Sequence, residues 1–180
     1  MKFFNLLNFC LFNTVLSLSE NINLPKILIG NSEIMNQKIH GTCKLKTSDN
    51  IKFGCSRELC DNICCFNRKF AEKENYWSDT SFIQDIIYDI WNEEPIYFYD
   101  TISNIPLFYA PINRNWSDFL YETLNHGWPS FRLDEVIKEN VRILDSGEVV
   151  SVEGTHLGHL LSDKLGYRFC INLVSISGKG

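Results

Sequence analysis

Beyond residue 20, no stretch of this sequence reaches the roughly 18 consecutive apolar residues that a transmembrane helix needs, which argues against stable membrane insertion. An excess of positive charge is missing as well. Seventeen Lys and Arg face 22 Asp and Glu, a formal net charge of -5. Broad electrostatic attraction to nucleic acid or to an acidic membrane surface is thereby excluded. There is no internal repeat and no low-complexity tract. Length is limited too: 180 residues suit one globular domain with an appendage, not two full domains. Aromatic residues are not scarce, with 13 Phe, 7 Tyr and 4 Trp. That is enough core material to exclude disorder as the main state.

The first residues read as a secretory signal. Lys2 gives the positive start, Phe3 to Leu18 is mostly apolar, and Ser17-Leu18-Ser19 offers small residues for cleavage. Residues 1–19 are thus expected to be removed, with a mature chain from near Glu20 that is secreted or lies in the endomembrane lumen. Asn115-Trp116-Ser117 is then a glycosylation acceptor triplet. Cys43, Cys55, Cys60, Cys64 and Cys65 fall within 23 positions, and in an oxidising compartment they read as a small disulfide knot. Zinc is the competing reading of Cys60 and Cys64, although their spacing is not that of the usual ligand pairs. An odd number of cysteines leaves at least one to pair elsewhere or stay free.

Residues 20–90 form a Cys-rich region, with a loosely ordered lead-in over 20–42. A helix is expected over about 81–92, because Ile83, Ile86, Ile87 and Ile90 share a face. Ser81 and Gln84 fit a capping box there. A second short helix is expected from Ser117 to about Asn125, ended by Gly127. Strand-like runs follow at 96–99, 106–110, 141–144, 148–152 and 167–177. Asp145-Ser146-Gly147 suits the turn of a hairpin. The expected fold is mainly β.

Chemistry concentrates in two segments, Gly127 to Phe131 and Gly154 to Asn172. The second holds His156, His159, Asp163, Arg168, Cys170 and Asn172, including half of the four histidines. Three readings of it stand. Cys170 could be a thiolate nucleophile, since Arg168 two residues earlier on a strand shares its face and would lower its pKa. His156, His159 and Asp163 could hold a metal for hydrolysis, though Gly154 and Gly158 argue against the helix this needs and no Glu stands as base. Or the residues are structural, with Cys170 a disulfide half or a small buried hydrophobe.

His156-Leu157-Gly158-His159, Asp163 and Arg168-Phe169-Cys170-Ile171-Asn172 resemble the C-terminal signature of methionine-R-sulfoxide reductases, the MsrB or selenoprotein R family. Gly127-Trp128-Pro129-Ser130-Phe131 resembles the family's other hallmark, and Pro106-Leu107-Phe108 a short strand near its start. The resemblance covers about residues 96–178. It implies a β-tent of two antiparallel sheets with short helices packed outside. It also implies peptide-methionine (R)-S-oxide reductase activity on oxidised proteins or peptides. Cys170 is implied as nucleophile, and His156 and His159 as the pair that assists protonation. Asp163 and Arg168 would orient and tune that network, Asn172 would fix a histidine, and Trp128 with Phe131 would form the substrate wall. No bound cofactor is implied, but an external thiol reductant, thioredoxin-like or glutathione-like, is required.

Two departures matter. The family's structural zinc pairs fall at Asp100 and Ser103 and at Val150 and Glu153, which cannot form a thiolate cage. The cysteine that often precedes Gly-Trp-Pro-Ser-Phe is His126, so recycling falls to an N-terminal cysteine, Cys64 or Cys65 being the first choice, or to the outside reductant. The alternative is a catalytically inactive secreted module with the same fold, stabilised by disulfides.

Overall fold

The computed structural model describes residues 26–180, so the expected secretory signal lies outside the described residues. The described residues open with two short 3-10 turns, Lys26–Leu28 and Ser32–Met35. It continues with α1 (Arg57–Asp61), which runs on as a π-helical turn through Phe66, and α2 (Phe82–Asn92). Next come β1 (Ile96–Tyr99), β2 (Pro106–Ala110) and α3 (Trp116–His126). The rest is β3 (Ser130–Phe131), β4 (Val141–Ile143), β5 (Glu148–Ser151), β6 (His156–Asp163) and β7 (Gly166–Ile171). β1 and β2 make one antiparallel sheet, and the other five strands make a second in the order β3-β7-β6-β5-β4. The fold is mainly β, two antiparallel sheets with short helices.

The helices follow their local signals. α2 buries Phe82 and Ile86. The expected capping box at Ser81 is absent, because the Ser81 hydroxyl donates to Asp85 instead (2.8 Å). The box appears on α3, where the Asn115 side chain accepts from the Asp118 amide at 2.8 Å. Gly127 ends that helix as expected.

Three expectations are corrected. The chain from residue 26 is no loose lead-in: Leu28 is fully buried, and the Gly30 amide donates to the Ile143 carbonyl of β4 (2.9 Å). The strand expected over 167–177 stops at Ile171, since Asn172 opens a 3-10 turn at Leu173–Ser175. The cysteine cluster is not a knot. One bridge forms, Cys43–Cys65, while Cys55, Cys60 and Cys64 are buried thiols. Cys55, just before the Ser56 cap of α1, and Cys60, the fourth residue inside it, occupy the two positions where an apolar pair staples a helix start, so they act there as small hydrophobes.

One core joins the two parts of the chain. Phe53, Ile63 and Phe82 pack in it with Phe98, Phe108, Phe131, Leu157 and Phe169. The rings interlock: Phe108 stacks on Phe131 at 4.2 Å, and Phe98 meets Phe131 edge-on at 5.0 Å. No helix among the described residues is long and apolar enough to cross a membrane.

Candidate active site

Strand alternation and one irregularity build the site. Along β7, Phe169 and Ile171 turn into the core with no exposure. Cys170 between them therefore faces outward, where it is half-buried. Its cross-strand neighbours are Ser130 on β3 and His159 on β6, and Glu148 of β5 lies beyond His159. Ser130, Cys170, His159 and Glu148 thus form one row across the sheet, with directly opposed side chains about 5 Å apart at Cβ.

His156 would fall on the opposite face from His159 in a regular strand, because the two are three residues apart. A bulge prevents this. Val149 pairs with Gly158 and Val150 with His156, so Leu157 is an extra residue in β6. The two imidazoles meet edge to face, with centroids 5.6 Å apart. Gly158 permits the close pairing, since a Cβ there would lie 2.1 Å from the Cys170 carbonyl oxygen.

The imidazoles differ in support. His156 is buried and its Nδ1 donates to the Glu148 carboxylate (2.8 Å), which leaves Nε2 as the nitrogen free for the cleft. Glu148 also receives Nε of Arg68 at 3.0 Å. Burial alone would raise Glu148, but the bonds from His156 and Arg68 hold it down at about 2. His159 has no such carboxylate of its own. Burial and the neighbouring His156 push it below its ordinary value, so it is neutral at pH 7.

Cys170 departs from the expectation of a lowered pKa. Burial pushes its thiol above the ordinary value, and the Arg168 guanidinium opposes the rise without overcoming it. The resting group is a thiol. Arg168 is buried and its Nη1 donates to the Ser130 hydroxyl at 3.3 Å.

Cys170, His156, His159, Asn172 and Trp128 line one cleft of about 300 Å³, together with Phe70. Three expected placements are corrected. Phe131 is fully buried in the aromatic core and does not line the cleft. Asp163 lies outside it, at the far end of β6, where both its oxygens bind Arg132 (3.0 and 2.9 Å). It therefore cannot join the two histidines around a metal or act beside them. It reaches Arg168 only at 3.6 Å. Asn172 donates to the Leu157 carbonyl (3.2 Å), so it fixes the bulged backbone and not a histidine ring.

Sequence reading missed the supports contributed by residues 68–72. Lys69, Phe70 and Ala71 line the cleft. Trp128 is held by its indole N–H, which donates to the Glu72 carbonyl at 3.2 Å. The Glu72 carboxylate is buried and accepts from the amides of Leu173 and Val174 (2.6 and 2.9 Å). Burial outweighs those two bonds and raises Glu72 to about 7. No local signal marks Glu72, because its partners lie a hundred residues away. Glu148 did carry a signal, as a charge within a strand of otherwise buried residues.

Two of the four positions where the resemblance would put zinc, Asp100 and Glu153, are otherwise engaged. Asp100 is buried and accepts from the Thr155 hydroxyl (2.9 Å) and the Ile102 amide (2.8 Å). Glu153 pairs with Lys44 at 2.8 Å. A larger cleft, about 790 Å³, holds His126, Arg132 and Asp163 but no cysteine. Neither a family model nor a curated relative matches the chain.

Proposed function

We propose that this chain reduces methionine-R-sulfoxide, peptide-bound in oxidised proteins, to methionine with an external thiol as electron source. The observation that carries the reading is the cleft: an unbridged thiol, Cys170, stands opposite His159 and shares the cleft with carboxylate-held His156 and Trp128. A volume of about 300 Å³ suits one side chain. An aromatic face favours the sulfoxide's methyl group.

The chemistry follows from the protonation states. Thiol and imidazole both start neutral, so His159 can take the Cys170 proton as the sulfur attacks and return it to the leaving oxygen. Oxygen passes from the methionine sulfur to Cys170, giving a sulfenic acid and methionine. One external thiol then condenses with the sulfenic acid and releases water. A second thiol cleaves that mixed disulfide, restoring the Cys170 thiol and leaving the reductant oxidised. Burial of Cys64 and the bridge at Cys65 argue against either as resolving thiol, which favours the outside reductant. A secreted or lumenal setting fits the Cys43–Cys65 bridge.

The test is reduction of a peptide carrying either sulfoxide epimer, with dithiothreitol as donor. The R epimer alone should react, and Cys170→Ser should abolish it. Absence of turnover on both epimers would leave the chain a non-enzymatic disulfide-stabilised module.

A further inference from the structure

A second cluster of reactive side chains lies away from the cleft, around the Cys43–Cys65 bridge. His40 and Cys43 are paired across a two-residue turn: the His40 amide donates to the Cys43 carbonyl (3.0 Å) and the Cys43 amide to the His40 carbonyl (2.9 Å). Asp61 and Cys65 stand four apart where α1 passes into its π-helical turn, so they share a face. Gly41 lets the turn sit on the helix, because a Cβ there would lie 2.1 Å from the Cys65 carbonyl oxygen. The result is His-x-x-Cys facing Asp-x-x-x-Cys. A His40 nitrogen, an Asp61 oxygen and the Cys65 sulfur lie within 4.8 Å of one another, and His40 Nε2 is 2.7 Å from Asp61 Oδ1. No other group of three metal-capable residues among the described residues is so close.

We infer that reduction of the Cys43–Cys65 bridge turns this cluster into a tetrahedral zinc site with His40, Asp61, Cys43 and Cys65 as ligands. Tetrahedral zinc places its ligand atoms roughly 3.3–3.8 Å apart, a rearrangement of about an ångström for His40, Asp61 and Cys65, while the Cys43 sulfur, outside that close group, must turn toward it once the bridge opens. Both ligand pairs have short spacings of the kind zinc sites use, and each is set by local structure before metal arrives. Asp61 is suited to bind as an anion: burial would raise its pKa, but bonds from His40 and Thr47 hold it below the usual value.

The electron count is simple. A dithiol reductant donates two electrons and two protons to the bridge and becomes a disulfide. Zinc then displaces the two thiol protons and binds both thiolates. Disulfide and metal are mutually exclusive, so oxidation expels the ion. No ligand of this site takes part in the reaction proposed for Cys170.

The test uses the full mature chain, reduced anaerobically with a phosphine and titrated with zinc or cobalt(II). One equivalent should bind. Cobalt should give the thiolate charge-transfer band and the intense visible bands of a tetrahedral centre, and the oxidised chain should bind none. His40→Ala and Asp61→Asn should each weaken binding by roughly tenfold or more. Both variants keep the bridge, so their folding is checked in the oxidised form. A Cys55→Ser, Cys60→Ser double variant should bind as the unmodified chain does. Zinc binding that survives in His40→Ala and Asp61→Asn but fails in the double serine variant would assign the metal to other thiols and overturn the proposal. So would a reduced chain that takes up no metal, folded or not.

Discussion

Glu72 offers a perturbation whose sign and size can be worked from the structure. Its carboxyl is buried and titrates near 7, against the ordinary 4.5. Between those values the folded chain keeps a proton that the unfolded chain has lost. Folding stability must therefore fall as pH rises through that window, by about 3 kcal/mol in all, and level off above it. His159 acts in the opposite sense, because a depressed histidine makes the unfolded chain the greater proton binder below 6.5. The Glu72 contribution is isolated by comparison with Glu72→Gln, whose amide does not titrate. The amide has one oxygen where the carboxyl has two. It can accept from Leu173 or Val174 but leaves the other donor unmet, at a cost of about 1–3 kcal/mol. The variant should be the less stable chain near about pH 5 and should equal or pass the unmodified chain near about pH 8. Urea unfolding midpoints across that range, with the bridge kept oxidised, measure the difference. Parallel midpoint curves for the two chains would refute the raised pKa.

Cys170→Ser should leave unfolding unchanged while removing sulfoxide reduction, and His159→Ala should slow the reaction by about 10²–10⁴-fold without abolishing it, as loss of proton relay does; unchanged rates in either would remove that residue from the mechanism. Phe131→Ala should cost about 3–5 kcal/mol from the aromatic core, read as a lowered midpoint, with KM unchanged in the folded fraction; a raised KM at normal stability would return Phe131 to the substrate wall. Gly158→Ala should destabilise by about 2 kcal/mol or more, because its Cβ meets the backbone of β7, which cannot yield without parting the two strands. A Gly158→Ala chain as stable and active as the parent would show that the β6–β7 pairing tolerates that displacement.

The legible parts of the fold are those fixed within a few residues. Isoleucines at helical spacing mark α2, and β-branched residues on either side of a tight turn mark β4 and β5. β6 was hard to read because its first half is an irregular strand, and the bulge at Leu157 depends on its pairing with β5. β7 reads too long in the sequence because apolar residues continue to Ile176, but Asn172 diverts the backbone. In the site, Cys170, His156, His159 and Trp128 were visible as residue types, and the structure brings them to one cleft. Their electrostatics were not visible. Arg168 beside Cys170 suggests a lowered pKa, yet burial is the larger influence, and burial depends on the whole fold. Cysteine counting misled for a related reason, since a buried thiol and a bridged one look alike in sequence.

The cleft also depends on a segment that its own strands do not contain. Arg68 reaches Glu148, which orients His156. Glu72 holds Trp128 by its carbonyl and the chain after Cys170 by its carboxylate. Phe70 and Lys69, between these supports in sequence, line the cleft. A chain starting at β1 would lose all of them together, and the buried Leu173 and Val174 amides would lose their acceptors. Segment 66–72 is anchored at its start by Cys65, whose bridge to Cys43 closes a 22-residue separation. A loop of that size restrains the unfolded chain by about 3 kcal/mol in the entropic account. The same bridge fixes where Arg68 and Glu72 begin their approach to the cleft. Reduction at Cys43–Cys65 should therefore loosen the support of His156 and Trp128 before it touches the strands that carry them, and a zinc ion taking the place of the bridge would hold residue 65 in nearly the same position.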